Sequence, residues 1–170
     1  MANNIGNDPK KTATAFHEAG HAVMAILLGR PIEKVTILPA KLNVGGARLG
    51  ACKIQKGRTK PTKDAIEDEV LILLSGMVAE SHYTNEYSQI GAAQDLMMVR
   101  RQLMNRAQSE KKIERLTSRL LHKTEHLLSE DTNRRAIKLI AQELLERDTI
   151  SGRTVKHLRG QAADQSQSEK

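Results

Sequence analysis

"AFHEAGHAVM", residues 15–24, places one glutamate and two histidines in a run that is otherwise apolar or small. On a helical wheel of about 100° per residue, Phe16, Gly20, Val23, Met24, Leu27 and Leu28 cover one broad face, and His21 falls beside His17 at its edge. Glu18 is the only charged residue between Ala13 and Leu28. A helix apolar nearly all round is a buried helix, and a buried carboxylate with two imidazoles needs partners. One cation would supply them. Residues four apart on a helix stand about 5–6 Å apart at Cβ, so His17 and His21 can converge on one metal. Glu18 points elsewhere, toward where a metal-bound water would lie. These are the mechanics of HExxH, in which the glutamate takes a proton from a water acidified by zinc. Gly20 inside the helix costs about 1 kcal/mol relative to Ala, which implies that another element packs close against the backbone there.

A zinc site of the catalytic type wants a third protein ligand and one open position. The metzincin extension would need glycine at 24 and histidine at 27, where this chain has Met24 and Leu27. Spacing leaves Glu67, Glu69, Glu80, His82 and Asp95 as candidates and does not choose among them. A second histidine pair, "HKTEH" at 122–126, has the inverted form HxxEH. Its wheel puts Ile113, Leu116, Thr117, Leu120, Thr124 and Leu127 on the core face, with His122 and His126 opposite, in a stripe with Arg115 and Arg119. That is a solvated positive face, which repels a cation.

Outward from the first helix, the pattern predicts a mostly α fold with a small β-sheet or hairpin near the N-terminus, an α+β domain. The first helix is predicted to start at Thr12 or Thr14, either of which could cap, and to stop at Gly29, where Gly-Arg-Pro follows. "IEKVTILPA" alternates and reads as a strand ending at Pro39; "NVGGARLGACKI" is a second extended piece behind a Gly-Gly turn, suggesting a hairpin-like pair. A helix opens at Pro61-Thr62, and "NEYSQIG" is a loop. Helices follow over about 92–105, 110–128 and 133–147, with a short last one after "DTISG". Residues 1–11 and 160–170 are polar and aperiodic and are expected to be disordered, leaving one domain over 12–159.

A chain of 170 residues can bury a core without staples. Cys52 is the sole cysteine, which excludes an internal disulfide and reads as a small half-buried thiol. No signal-peptide pattern and no apolar run of about 18 residues is present, so a cytoplasmic protein with no membrane partner is expected. The GxxxxG from Gly45 to Gly50 is followed by Ala51 and Cys52, so it is not a phosphate loop. The net charge is +7, and residues 98–125 carry eight Lys and Arg against three Glu. Phe16, Tyr83 and Tyr87 are the only aromatics, too few for base stacking, and no nucleic-acid motif is present. A solvated helix face explains the charge better than a nucleic-acid partner.

"HEAGHAV", "EKVTILP", "LLSGMVAE", "GAAQDL" and "AQELLERDTISG" stand in the order found in the peptidase domain of the FtsH family, the membrane-bound ATP-dependent zinc proteases. The chain resembles that domain from about Thr14 to about Leu158. The resemblance implies a mostly helical zinc metallopeptidase with one Zn2+ per chain, held by His17, His21 and, as third ligand, Asp95. It makes Glu18 the catalytic base and maps Glu80 onto the glutamate of the family's "AE" pair, where it could hold the outer nitrogen of a metal histidine. It also implies that the region of Val44 to Ile54 can hold a substrate as an added strand.

There are departures from the family pattern. "SQIG" replaces the usual Ser-Thr-Gly, Gln94 stands where Asn is common, and the expectation is a stand-alone domain, since these 170 residues show no counterpart of the family's membrane helices or AAA ATPase module. As a stand-alone domain it is expected to cut only flexible, unfolded polypeptides or to borrow a separate ATPase unfoldase as partner. Family members form hexamers, so a homo-oligomer stays open. The expected function is thus a zinc metalloendopeptidase. The alternative is a non-catalytic, metal-stabilised peptide-binding or assembly module, against which an intact Glu18 argues, since a structural zinc site needs no base.

Overall fold

The structure, a computed structural model, describes residues 8–41, 47–89 and 91–168. Helix α1 (Pro9–Leu27) starts earlier than Thr12 because Asp8 caps it. The Asp8 carboxylate accepts from the Lys10 and Lys11 amides at 2.9 and 3.3 Å, and Pro9 occupies the first turn, where its missing N–H costs nothing. The Thr12 and Thr14 hydroxyls instead donate back to the carbonyls of Asp8 and Lys10. Residues 9–11 are therefore helical, a correction to the expected disordered segment.

The chain then builds a three-stranded antiparallel sheet in the order β4 (Ala51–Ile54), β1 (Ile32–Thr36), β5 (Thr149–Ser151). Val35 of the central strand faces Cys52 on one side and Ile150 on the other, and both Val35 and Ile150 are buried. The hairpin-like pairing of the first two extended pieces is thus present in β1 and β4, joined by a third strand from "DTISG" that the periodicity did not predict. A separate short pair, β2 (Ala40–Lys41) and β3 (Ala47–Arg48), forms its own two-stranded antiparallel sheet. The expected Gly-Gly turn lies outside the described residues.

The rest is helical: α2 (Ala65–Thr84), α3 (Ala93–Met104), α4 (Glu110–Ser129), α5 (Asp131–Arg147) and α6 (Gly152–Ser168). Asp64 caps α2 by accepting from the Glu67 amide at 2.9 Å. The last helix is long, not short. It continues through 160–168 because Leu158 and Ala162 are buried on its inner face, which corrects the expected disordered tail for those residues. The mostly α fold with a small sheet is as the sequence predicts.

α1 runs through the middle. Ala15, Ala19, Ala22, Val23 and Met24 are fully buried, with Val70, Leu71, Leu74 and Val78 of α2 and Ala136, Ile140 and Leu144 of α5 completing the same core. Where α1 and α2 meet, a Cβ on Gly20 would run into the Ser75 carbonyl oxygen and lie 2.5 Å from the Ala79 Cβ. This is the close approach that the helix-interior glycine implied, and it presses the histidines against α2. Among the described residues, no helix is long and apolar enough to cross a membrane.

Candidate metal centre

Three elements build the site. α1 presents His17 and His21 one turn apart, α2 passes across their ring tips, and the first turn of α3 brings in Asp95. Asp95 Oδ2 lies 2.9 Å from His17 Nε2 and 3.3 Å from His21 Nε2. The ligand atoms of all three residues fall within 4.8 Å of one another.

The outer nitrogens are held from behind. His17 Nδ1 is 2.9 Å from Glu80 Oε2, and His21 Nδ1 is 2.7 Å from the Ile72 carbonyl oxygen. Both partners can only accept, so each Nδ1 carries a proton and each Nε2 faces the common centre. Ser75, fully buried, donates its hydroxyl to the same Ile72 oxygen at 2.6 Å and pins that acceptor. His17, Glu18, His21 and Glu80 are all buried, none more than 9 % exposed. A Cβ on Gly50, just before β4, would fall 2.7 Å from Glu18 Oε1.

The electrostatics match a cation site. Burial acts to lower the His17 pKa, but the hydrogen bonds with Asp95 and Glu80, aided by the Glu18 charge, outweigh it and raise His17 to about 9. Burial acts to raise Asp95, and the hydrogen bonds from His17 and His21 outweigh that and hold its carboxyl well below the usual range. Asp95, Glu80 and Glu18 thus stabilise positive charge at His17. Two nitrogens and one carboxylate oxygen at that spacing are a donor set that fits Zn2+, with a position left over.

Of the five third-ligand candidates, Asp95 alone joins the histidine tips, and Glu80 reaches His17 from the rear. Glu67 pairs with Lys123 and Arg119, and Glu69 with Arg30. His82 is exposed, in a cleft with Arg134. His122 and His126 are exposed on α4, as the wheel predicts. Sequence reasoning missed the Ile72 carbonyl and two close-packed glycines at the site, Gly50 and Gly76. A backbone acceptor leaves no trace in residue identity. Gly76 stood in plain view as a glycine inside a helix, the one signal that could have marked it.

A mostly helical α+β domain in which two helix-borne imidazoles meet a carboxylate from a later helix has the build of a metallopeptidase domain. The family model described as Peptidase family M41 matches residues 4–107, and the chain belongs to that family. It is 32% identical to an ATP-dependent zinc metalloprotease FtsH of Acidimicrobium ferrooxidans over 94% of this chain and 29% of that protein. A protein of the same name from Protochlamydia amoebophila is 33% identical over 53% of this chain and 10% of its own length. A third, ATP-dependent zinc metalloprotease FtsH 1 of Thermoanaerobacter sp., is 37% identical over 54% of this chain and 15% of its own length. The chain spans less than a third of each of these relatives.

Proposed function

We propose that this chain is a zinc-dependent endopeptidase acting on unfolded polypeptides, with His17, His21 and Asp95 as the ligands of one Zn2+ and Glu18 as the general base. The observation that carries the reading is the convergence of His17 Nε2, His21 Nε2 and an Asp95 carboxylate oxygen within 4.8 Å, beside a buried glutamate. When bound, zinc supplies Lewis acidity that polarises a carbonyl and lowers the pKa of a water toward neutrality. Glu18 takes the proton from the attacking water and delivers it to the leaving amine as the C–N bond breaks. Glu80 and the Ile72 carbonyl hold Nδ1 of His17 and His21, so that both Nε2 atoms point at the common centre.

β4 is an edge strand of the sheet, and Gly50 immediately before it touches Glu18. An extended polypeptide added to that edge would run past the base, which a folded chain cannot do. The relatives are named as ATP-dependent, and a separate ATPase unfoldase is the partner this reading assigns for folded substrates. A metal site serving stability or assembly alone would have no use for a general base in addition to the carboxylate that holds His17.

The test is cleavage of unfolded casein by the wild type and by Glu18→Gln. Loss of a general base lowers turnover by about 10²–10⁴, and zinc content stays unchanged. Equal cleavage by both proteins would contradict the assignment.

A further inference from the structure

Two glycines from separate parts of the chain touch the two halves of the site. A Cβ built on Gly76, inside α2, would lie 2.5 Å from His17 Nε2 and 2.5 Å from His21 Nε2. A Cβ built on Gly50 would lie 2.7 Å from Glu18 Oε1, 2.8 Å from Glu18 Cγ and 2.9 Å from the Thr36 carbonyl oxygen. Neither glycine has a positive φ, so neither is required by its own backbone, and the requirement comes from the neighbours.

Side-chain tips ordinarily swing away from an added methyl. The imidazole tips cannot do so freely, because each ring is tethered at its opposite nitrogen. His17 Nδ1 is bonded to buried Glu80, and His21 Nδ1 to the Ile72 carbonyl, which Ser75 pins in turn. Pushing either Nε2 away from α2 breaks the bond behind it and turns the lone pair off the common centre. At Gly50 one of the close atoms is backbone of β1, so an added methyl there is relieved chiefly by moving the Glu18 carboxylate.

We propose that Gly76 and Gly50 are positioning residues with separate tasks: Gly76 leaves the space in which the two imidazoles meet the metal, and Gly50 sets the Glu18 carboxylate against the reacting water. The proposal rests on the zinc-peptidase reading above and extends it to two residues outside its ligands and base. It makes opposite demands on two conservative substitutions, since one acts on metal affinity and the other on turnover with metal in place.

The experiment titrates metal-free wild type, Gly76→Ala and Gly50→Ala with cobalt(II), following the visible spectrum, and with zinc in competition with a chelator. Gly76→Ala weakens both metals by about 10–100-fold, the range for disturbing groups that orient metal ligands, and changes the cobalt band shape. Gly50→Ala binds both metals within about threefold of wild type, while its kcat on unfolded casein falls by at least about tenfold, a loss of base positioning. Should Gly76→Ala fold poorly, its thermal midpoint is compared in the background His17→Ala/His21→Ala. With the rings gone the penalty disappears, whereas a penalty of the same size in both backgrounds overturns the steric argument. Gly76→Ala binding cobalt and zinc as tightly as wild type overturns the assignment of Gly76, and Gly50→Ala with wild-type kcat overturns that of Gly50. Wild type that binds neither metal overturns the zinc-peptidase reading itself, and this proposal with it.

Discussion

At Gly20 a methyl group would run into the Ser75 carbonyl and stand 2.5 Å from the Ala79 Cβ, with backbone on the receiving side. Gly20→Ala gains about 1 kcal/mol of helix propensity. It meets an overpacking cost of about 1–3 kcal/mol in a core that has no room to give. The α1–α2 crossing is the centre of this core, so the cost prevails. Urea unfolding is predicted to show a lower midpoint for Gly20→Ala with an unchanged slope, and a midpoint at or above wild type would contradict the close approach. This glycine was legible in the sequence because it interrupts an apolar helix. His17, Glu18 and His21 were legible because their spacing states a chemistry. Asp95 was not separable by spacing from Glu67, Glu69, Glu80 and His82, since its place depends on where α3 starts relative to α1, and only the family resemblance picked it out. Gly76 carried the same helix-interior signal as Gly20 but was not singled out, and Gly50 gave none, because nothing in the sequence says that the close neighbour is a site residue.

Helix starts were governed by short-range chemistry that the sequence displays but does not rank. Asp8-Pro9 outcompetes Thr12 and Thr14 as the start of α1 because a carboxylate accepts two amides while proline removes a third donor. Asp64 plays the same part for α2 and also takes an ion pair from Arg106. The Arg106 hydrogen bond first, and the Glu67 amide second, hold the Asp64 carboxyl below its usual value. A carboxyl depressed in the folded state contributes stability above its unfolded value of about 3.9, and loses it as pH falls through the lower folded value. Asp64→Ala is therefore predicted to lower stability at pH 7, read from thermal unfolding, by the worth of a cap, about 1 kcal/mol. The gap to wild type should close in acid as pH falls through the lowered folded value. A gap that stays constant over that range would contradict the role given to the carboxylate. β5 escaped the sequence reading for a different reason: three residues are too few to show alternation, and its pairing partner, β1, lies more than a hundred positions earlier.

At the scale of the molecule, one buried helix organises both fold and site. α1 is wrapped by α2, α5 and the sheet, which is why an apolar run could carry His17, Glu18 and His21 into the interior, and why Glu80, Ile72 and Asp95 could be brought to meet them. The mostly helical class and the element order were readable from periodicity; which helix faces which was not, because packing partners are set by side-chain shape across the whole core. On this reading the arrangement holds one zinc ion through the side chains of His17, His21 and Asp95. It is tested most directly by elemental analysis of protein purified without added metal, for wild type and for Asp95→Ala. The expected result is about one zinc per wild-type chain, in keeping with three protein ligands and one open position, and a strong loss in Asp95→Ala. Wild type without zinc, or Asp95→Ala with as much zinc as wild type, would contradict it.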